Sequence, residues 1–125
     1  MAFEYTIDSD FDYTIDEKGN RYVALRKIDW GNKGEYKLDL RKYYASDAGE
    51  KMSSGVTMSD DAADELAKVL LETGYGNDEE LANTIIENRP ELLGKICIEM
   101  NRRGITANDI EYEEEEFYDP EELIA

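Results

Sequence analysis

The residue types best suited to ligand binding in this sequence are cations and aromatic rings, which alternate with apolar residues in two stretches, residues 21–29 and 35–44. Successive side chains of a β-strand point to opposite faces, so each stretch would present one apolar face and one face that mixes cations with rings. Cations on such a face can meet phosphates, and exposed rings can stack on bases. A face of this kind would suit a single-stranded nucleic acid.

We predict eight nucleic-acid-binding residues, all cationic or aromatic, in these strands and in the loops beside them. They are Arg26, Trp30, Lys33, Lys37, Arg41, Tyr43, Tyr44 and Lys51. Lys27 and Lys42 have the opposite parity and rank lower, although a β-bulge that turned Lys42 and Tyr44 inward together would change this. The alternative is the ordinary solvated side of a sheet, with Trp30 and the tyrosines at a dimer contact. The residue pattern taken alone favours this alternative.

Residues that carry catalysis are scarce. The chain has no histidine and one cysteine, Cys97, so the commonest general base and cysteine-clustered zinc sites are excluded. The glycines do not follow a phosphate-loop spacing, and the acidic residues do not follow the spacing of an EF-hand. We therefore expect no enzyme, no cofactor and no metal site. Cys97 lies in the apolar stripe of a predicted helix, which predicts a buried, inert thiol.

Charge is distributed unevenly along the 125 residues. The formal net charge is −17, yet residues 18–55 carry nine cations and only five anions. The basic segment is thus the one with the strand and aromatic pattern, so the average charge does not argue against nucleic acid there. We also expect no secretory signal, no membrane span and a cytoplasmic location, with association to the nucleoid if the source is bacterial.

The acidic C-terminus, residues 105–125, predicts a tail with three alternative roles. It could mimic DNA and compete for the basic face, or dock a basic protein partner. The third role, a mobile segment that adds solubility, is the usual behaviour of a charge run and is favoured.

The elements that would position these residues follow in order. The tetrapeptide Tyr-Thr-Ile-Asp occurs at Tyr5 and again at Tyr13, and we expect only the second copy to pair in the main sheet. Next we expect a hairpin turn at residues 17–20 and strands over residues 21–29 and 35–44. A loop over residues 45–54 and a short strand over residues 55–58 follow. Ser59 is predicted to cap a helix ending near Thr73. Two more helices, over residues 77–89 and 90–103, form an extension.

These pieces, RYVALRKI, LDLRKYY, a Gly-Glu loop and GVTMS before a helix, resemble the positive cofactor four family of transcriptional coactivators over residues 11–73. The resemblance implies a dimeric single-stranded-DNA-binding protein of four antiparallel strands and a helix, with helices packed across the dimer axis. Two features depart from the family pattern. The loop before GVTMS keeps one cation, Lys51, and Tyr44 stands where the family often has Trp.

With the resemblance added, we expect an α+β protein. Residues 1–73 would form a curved antiparallel sheet of about four strands with a helix, residues 74–104 a helical extension packed on it, and residues 105–125 the acidic tail. The expected function is single-stranded nucleic-acid binding in transcription, with low sequence specificity, by a homodimer. The alternative is an acidic protein-interaction module, or a DNA mimic, on the same fold.

Overall fold

The computed structural model describes residues 4–110 and contains a four-stranded antiparallel sheet followed by three helices. The strands are β1 (Tyr5–Lys18), β2 (Arg21–Trp30), β3 (Lys37–Ser46) and β4 (Gly49–Met58), and they lie in the order β1-β2-β3-β4. The helices are α1 (Asp60–Glu72), α2 (Asp78–Asn88) and α3 (Pro90–Arg103), with a 3-10 turn at Ala107–Asp109. The predicted α+β class with four antiparallel strands is confirmed.

Strand β1 is longer than the sequence predicted. Both Tyr-Thr-Ile-Asp copies pair with β2, since Tyr5 lies opposite Trp30 and Tyr13 opposite Leu25. The expectation that only the second copy pairs was therefore wrong. Between Ile7 and Asp12 four residues stand opposite a single residue of β2, so an irregularity absorbs the extra length and keeps both copies in register.

Strand β4 replaces the loop predicted over residues 45–54. Ser46 pairs with Gly49, whose φ of +105° closes a tight turn, and pairing continues through Lys51 and Met52. The prediction missed this strand because its residues are polar. An edge strand is stabilised by backbone hydrogen bonds and does not need an alternating apolar pattern.

The small core lies on the mixed face of the sheet. Ala24, Ile28 and Tyr43 are the only fully buried hydrophobic residues among residues 4–110. The residues expected to form the apolar face, such as Val23 and Leu40, are only half-buried. The parity of the side chains was predicted correctly, but the better-buried side is the one that also carries the charged residues.

The chain divides into two compact units, residues 1–75 and 76–125. In the first, Ser59 caps α1 by accepting a hydrogen bond from the Ala62 backbone N–H at 3.1 Å, as predicted. In the second, the side chain of Asn77 caps α2, as predicted, and Gly104, with φ of +68°, ends α3.

No residue of α1, α2 or α3 is fully buried. Cys97 is exposed, so the predicted burial of its thiol was wrong. Within the described part of the second unit, α3 has only α2 as a helical neighbour, and a single neighbour leaves part of its apolar stripe in solvent. No helix within residues 4–110 combines the length and the hydropathy that a membrane span requires.

Candidate nucleic-acid interface

Arg26 lies at the centre of an ion-pair cluster on the mixed face. Its guanidinium pairs with Asp12 at 2.8 Å and with Glu50 at 2.7 Å, each through two nitrogens. The same group stacks over the Tyr43 ring, 4.2 Å from its centroid, while Tyr22 stacks on Tyr43 and donates a hydrogen bond to Glu50. The cluster joins all four strands, since its members come from β1, β2, β3 and β4.

Electrostatics make this cluster a poor phosphate site. Arg26 exposes only 7% of its surface, and two carboxylates already neutralise its charge. Burial raises the pKa of Glu50, and the neighbouring Asp12 carboxylate raises it further. Burial also raises the pKa of Tyr43, whose ring is 1% exposed and cannot be reached by a base as the face stands.

A second charged pair lies beside the first on the same face. Arg41 donates two hydrogen bonds to Asp39, at 2.9 and 3.0 Å, and a third to the Ser53 carbonyl oxygen at 2.9 Å. Asp39 is fully buried and also accepts from the Thr57 hydroxyl at 2.7 Å. Gly55 lies opposite Arg41, and a Cβ there would come within 2.6 Å of the Leu40 carbonyl oxygen, so this packing requires glycine. We call Arg26, Asp39, Arg41 and Tyr43 the charge-paired face.

The structure therefore divides the eight predicted residues among three places. Arg26, Arg41 and Tyr43 belong to the charge-paired face. Trp30, Lys33 and Lys37 lie at the other end of β2 and β3, where Arg41 reaches over the Trp30 ring at 5.2 Å. Tyr44 and Lys51 lie on the opposite face of the sheet.

A row of exposed residues crosses all four strands on that opposite face. Lys18 lies opposite Arg21, Arg21 opposite Tyr44, and Tyr44 opposite Lys51. Directly opposite residues of antiparallel strands share a face, so these four side chains form one line, which we call the basic row. All four are exposed. No carboxylate of residues 4–110 lies within 4.0 Å of their cationic nitrogens.

Lys42, which the sequence ranked low, lies next to this row. It stands opposite Val23, two pairs along from Arg21 and Tyr44 and therefore on the same face. An irregularity between the Arg41 and Tyr43 pairings inserts an extra β4 residue at this point. Lys42 and Tyr44 share a face because residues two apart in β3 point the same way, and this face is the one opposite Arg26, so the bulge does not turn them to the Arg26 face as the sequence allowed.

A cavity of about 510 Å³ opens along the basic row. Lys18, Arg21 and Tyr44 line it together with Lys42, and so do the side chains or backbone of Asp16, Glu17, Asn20, Tyr22, Val23, Tyr43 and Ser53. Its volume lies within the range of small-molecule sites. The cavity thus places cations, the Tyr44 ring and the Asp16 carboxylate around one opening in the first unit.

Sequence reasoning missed Lys18 and Arg21, although a signal for them was present. They flank the two-residue turn Gly19–Asn20, and a two-residue hairpin places its flanking residues opposite each other.

In comparisons with protein-family models, curated proteins and solved structures, nothing matched this chain. The assignment of this surface therefore depends on its geometry and charge.

Proposed function

We propose that the protein binds single-stranded nucleic acid, and that the basic row with Lys42, rather than the charge-paired face, receives the phosphates. The observation that carries the proposal is the unbroken line of exposed cations and one ring across four strands, in which no cation pairs with a carboxylate of residues 4–110. A single strand needs cations for its backbone and rings for its bases. Among the predicted residues, Tyr44 and Lys51 keep their proposed role directly.

The net charge of −17 does not prevent such binding. Screening at physiological salt limits a charge's reach to about 8 Å, so a phosphate responds chiefly to the charges nearest to it. At the basic row these include Lys18, Arg21 and Lys51. The acidic remainder of the chain would weaken nonspecific association, and the cation–phosphate contacts at the basic row would make binding weaken with salt.

The test is a titration of labelled (dT)20 by fluorescence anisotropy at 50 and 200 mM salt. We expect binding that weakens with salt, and a loss of roughly a hundredfold in affinity for Arg21→Glu/Lys51→Glu, because two phosphate contacts become repulsions. Lys68→Glu/Lys95→Glu changes the net charge equally at exposed positions on α1 and α3 that are not members of the row. An equal loss in both double variants, or no binding by the unmodified protein at 50 mM salt, would contradict the proposal.

We further propose that the binding unit is a homodimer that forms through α1. In the first unit, Leu66, Val69 and Leu70 of α1 are 41–42% exposed, and Val56 of β4 is 60% exposed. Three buried hydrophobic residues are few for a chain with 41% hydrophobic composition. A second copy that covered these surfaces would supply the missing burial, at about 25 cal/mol per Å² of apolar area.

Analytical ultracentrifugation tests the dimer. Leu66→Glu should shift the mass toward the monomer, because it places a carboxylate in the covered stripe. Leu71→Glu adds the same charge on the same helix at a leucine that is 67% exposed and lies outside that stripe. A monomeric unmodified protein, or equal effects of both substitutions, would contradict the dimer.

An acidic protein-interaction module remains the alternative function. The proposed basic partner would bind residues 111–122, which lie outside the described residues. If the unmodified protein did not bind (dT)20 at low salt, this alternative would replace nucleic-acid binding as the proposed function.

A further inference from the structure

We infer that the cavity on the basic row selects guanine from the bases of a single strand. This inference rests on the proposed nucleic-acid binding and names the base that the same surface prefers. The cavity adjoins three members of the row, Lys18, Arg21 and Tyr44, so a strand whose phosphates follow the row can place one base inside it. The exposed ring of Tyr44 is available to the face of that base.

The polar groups of the cavity decide which base fits. Asp16 accepts one hydrogen bond, from the Glu17 backbone N–H at 3.0 Å, through a single carboxylate oxygen. Asp16 stands opposite Val23 and so shares the face of the basic row, whereas Glu17 stands opposite Tyr22 and points to the other face. The amide of Asn20 donates to the Ala45 carbonyl oxygen at 3.2 Å, which leaves its side-chain oxygen as an acceptor. The cavity therefore offers free acceptors that need donors.

Guanine alone among the DNA bases presents two adjacent donors, the ring N1–H and the 2-amino group, which match the two oxygens of one carboxylate. Cytosine and adenine offer one amino group each. Thymine turns carbonyl oxygens toward the Asp16 carboxylate on both sides of its single N–H, and those contacts are repulsive. In a single strand these base edges are free of pairing partners. The remaining cations of the cavity can donate to the guanine carbonyl oxygen.

The experiment compares labelled (dT)20 with the same oligonucleotide carrying one central guanine, and with one carrying hypoxanthine there, which lacks the 2-amino group. We expect the guanine oligonucleotide to bind at least about fivefold more tightly than (dT)20, the lower end of a bidentate base contact. Hypoxanthine should lose most of that gain, because only one donor remains. Equal affinity for all three overturns the inference while leaving the proposed function intact; no binding of any overturns the proposed function itself.

Variants locate the selectivity. Asp16→Asn should reduce the preference for guanine over thymine while retaining or strengthening binding to (dT)20, since it removes a negative charge beside the phosphates. Glu65→Gln, an exposed position on α1, is the matched control and should keep the preference. A guanine preference that survives Asp16→Asn would place the selectivity elsewhere and overturn the assignment.

Discussion

The two faces of the sheet use the same residue types for opposite purposes. On the charge-paired face each arginine stacks on a ring and pairs with at least one carboxylate, so its charge is neutralised within the fold. On the basic row the cations are exposed and without a carboxylate neighbour among residues 4–110. A cation beside a ring therefore indicates a binding surface only when no acidic residue reaches it first. If the two faces are separable, substitutions on the charge-paired face change stability and substitutions on the basic row change binding.

The largest expected effect is on the charge-paired face. Arg26→Met removes the shared partner of Asp12 and Glu50 and leaves two carboxylates facing each other. We expect a loss of roughly 3 kcal/mol in the free energy of unfolding, at the lower end for breaking a buried ion pair, because both carboxylates still reach water. Urea unfolding monitored by circular dichroism measures it. Arg102→Met removes an arginine that is 70% exposed in its pair with Glu99 and should cost under about 1 kcal/mol.

A smaller effect is expected at Gly55, which lets β4 approach Arg41. In Gly55→Ala the added Cβ would meet the Leu40 carbonyl oxygen and the Arg41 backbone at 2.6 and 2.7 Å, so the strands must separate. We expect destabilisation of about 1–3 kcal/mol, as for overpacking. Gly94→Ala has no atom within 4 Å of its Cβ and lies inside α3, where alanine is the better helix former. Stability equal to the unmodified protein in Gly55→Ala would show that the close approach is not required.

On the basic row, substitutions should change oligonucleotide affinity and leave the free energy of unfolding nearly unchanged. Arg21→Met is expected to change the free energy of unfolding by less than about 0.5 kcal/mol, since the side chain is exposed and unpaired. The slope of log affinity against log salt should fall by about 0.7, the value for one phosphate contact on a single strand. If Arg21→Met destabilised the protein as much as Arg26→Met, the division of roles between the faces would be wrong.

The sequence predicts features that depend on residues close together in the chain, and it misses contacts between residues that are far apart in the chain. Period-two alternation is local, and it placed Arg26 and Trp30 on one face correctly. It could not show that Asp12 and Glu50 meet Arg26, because those contacts span 14 and 24 residues and depend on the register of two other strands. The polar strand β4 was missed for a related reason, since its pairing is carried by the backbone. Helix caps such as Ser59 were predicted well because a cap is decided within four residues.

The smallest expected effect concerns pH and the loop that follows β2. Asp29 accepts hydrogen bonds from the backbone N–H groups of Lys33 and Gly34, at 2.9 and 2.7 Å, and so holds the loop beside Trp30. Burial opposes the charge of this carboxylate, but the N–H groups of Gly34 and Lys33 outweigh it and lower the pKa of Asp29 below 3.8. A lowered pKa in the folded state contributes stability that is present above the unfolded value and is lost as the pH falls through the folded value.

Asp29→Asn should therefore be less stable than the unmodified protein at pH 7, with a difference that shrinks below about pH 3.8. Urea unfolding at a series of pH values measures this difference. Asp64→Asn, an exposed aspartate on α1, is the control and should show little difference at any pH. If the difference in the free energy of unfolding stayed constant between pH 7 and pH 3, the loss would come from the shape of the amide side chain and not from the missing charge. Since Arg21 lies about 30 Å along β2 from this loop, oligonucleotide affinity at neutral pH should be unaffected by Asp29→Asn.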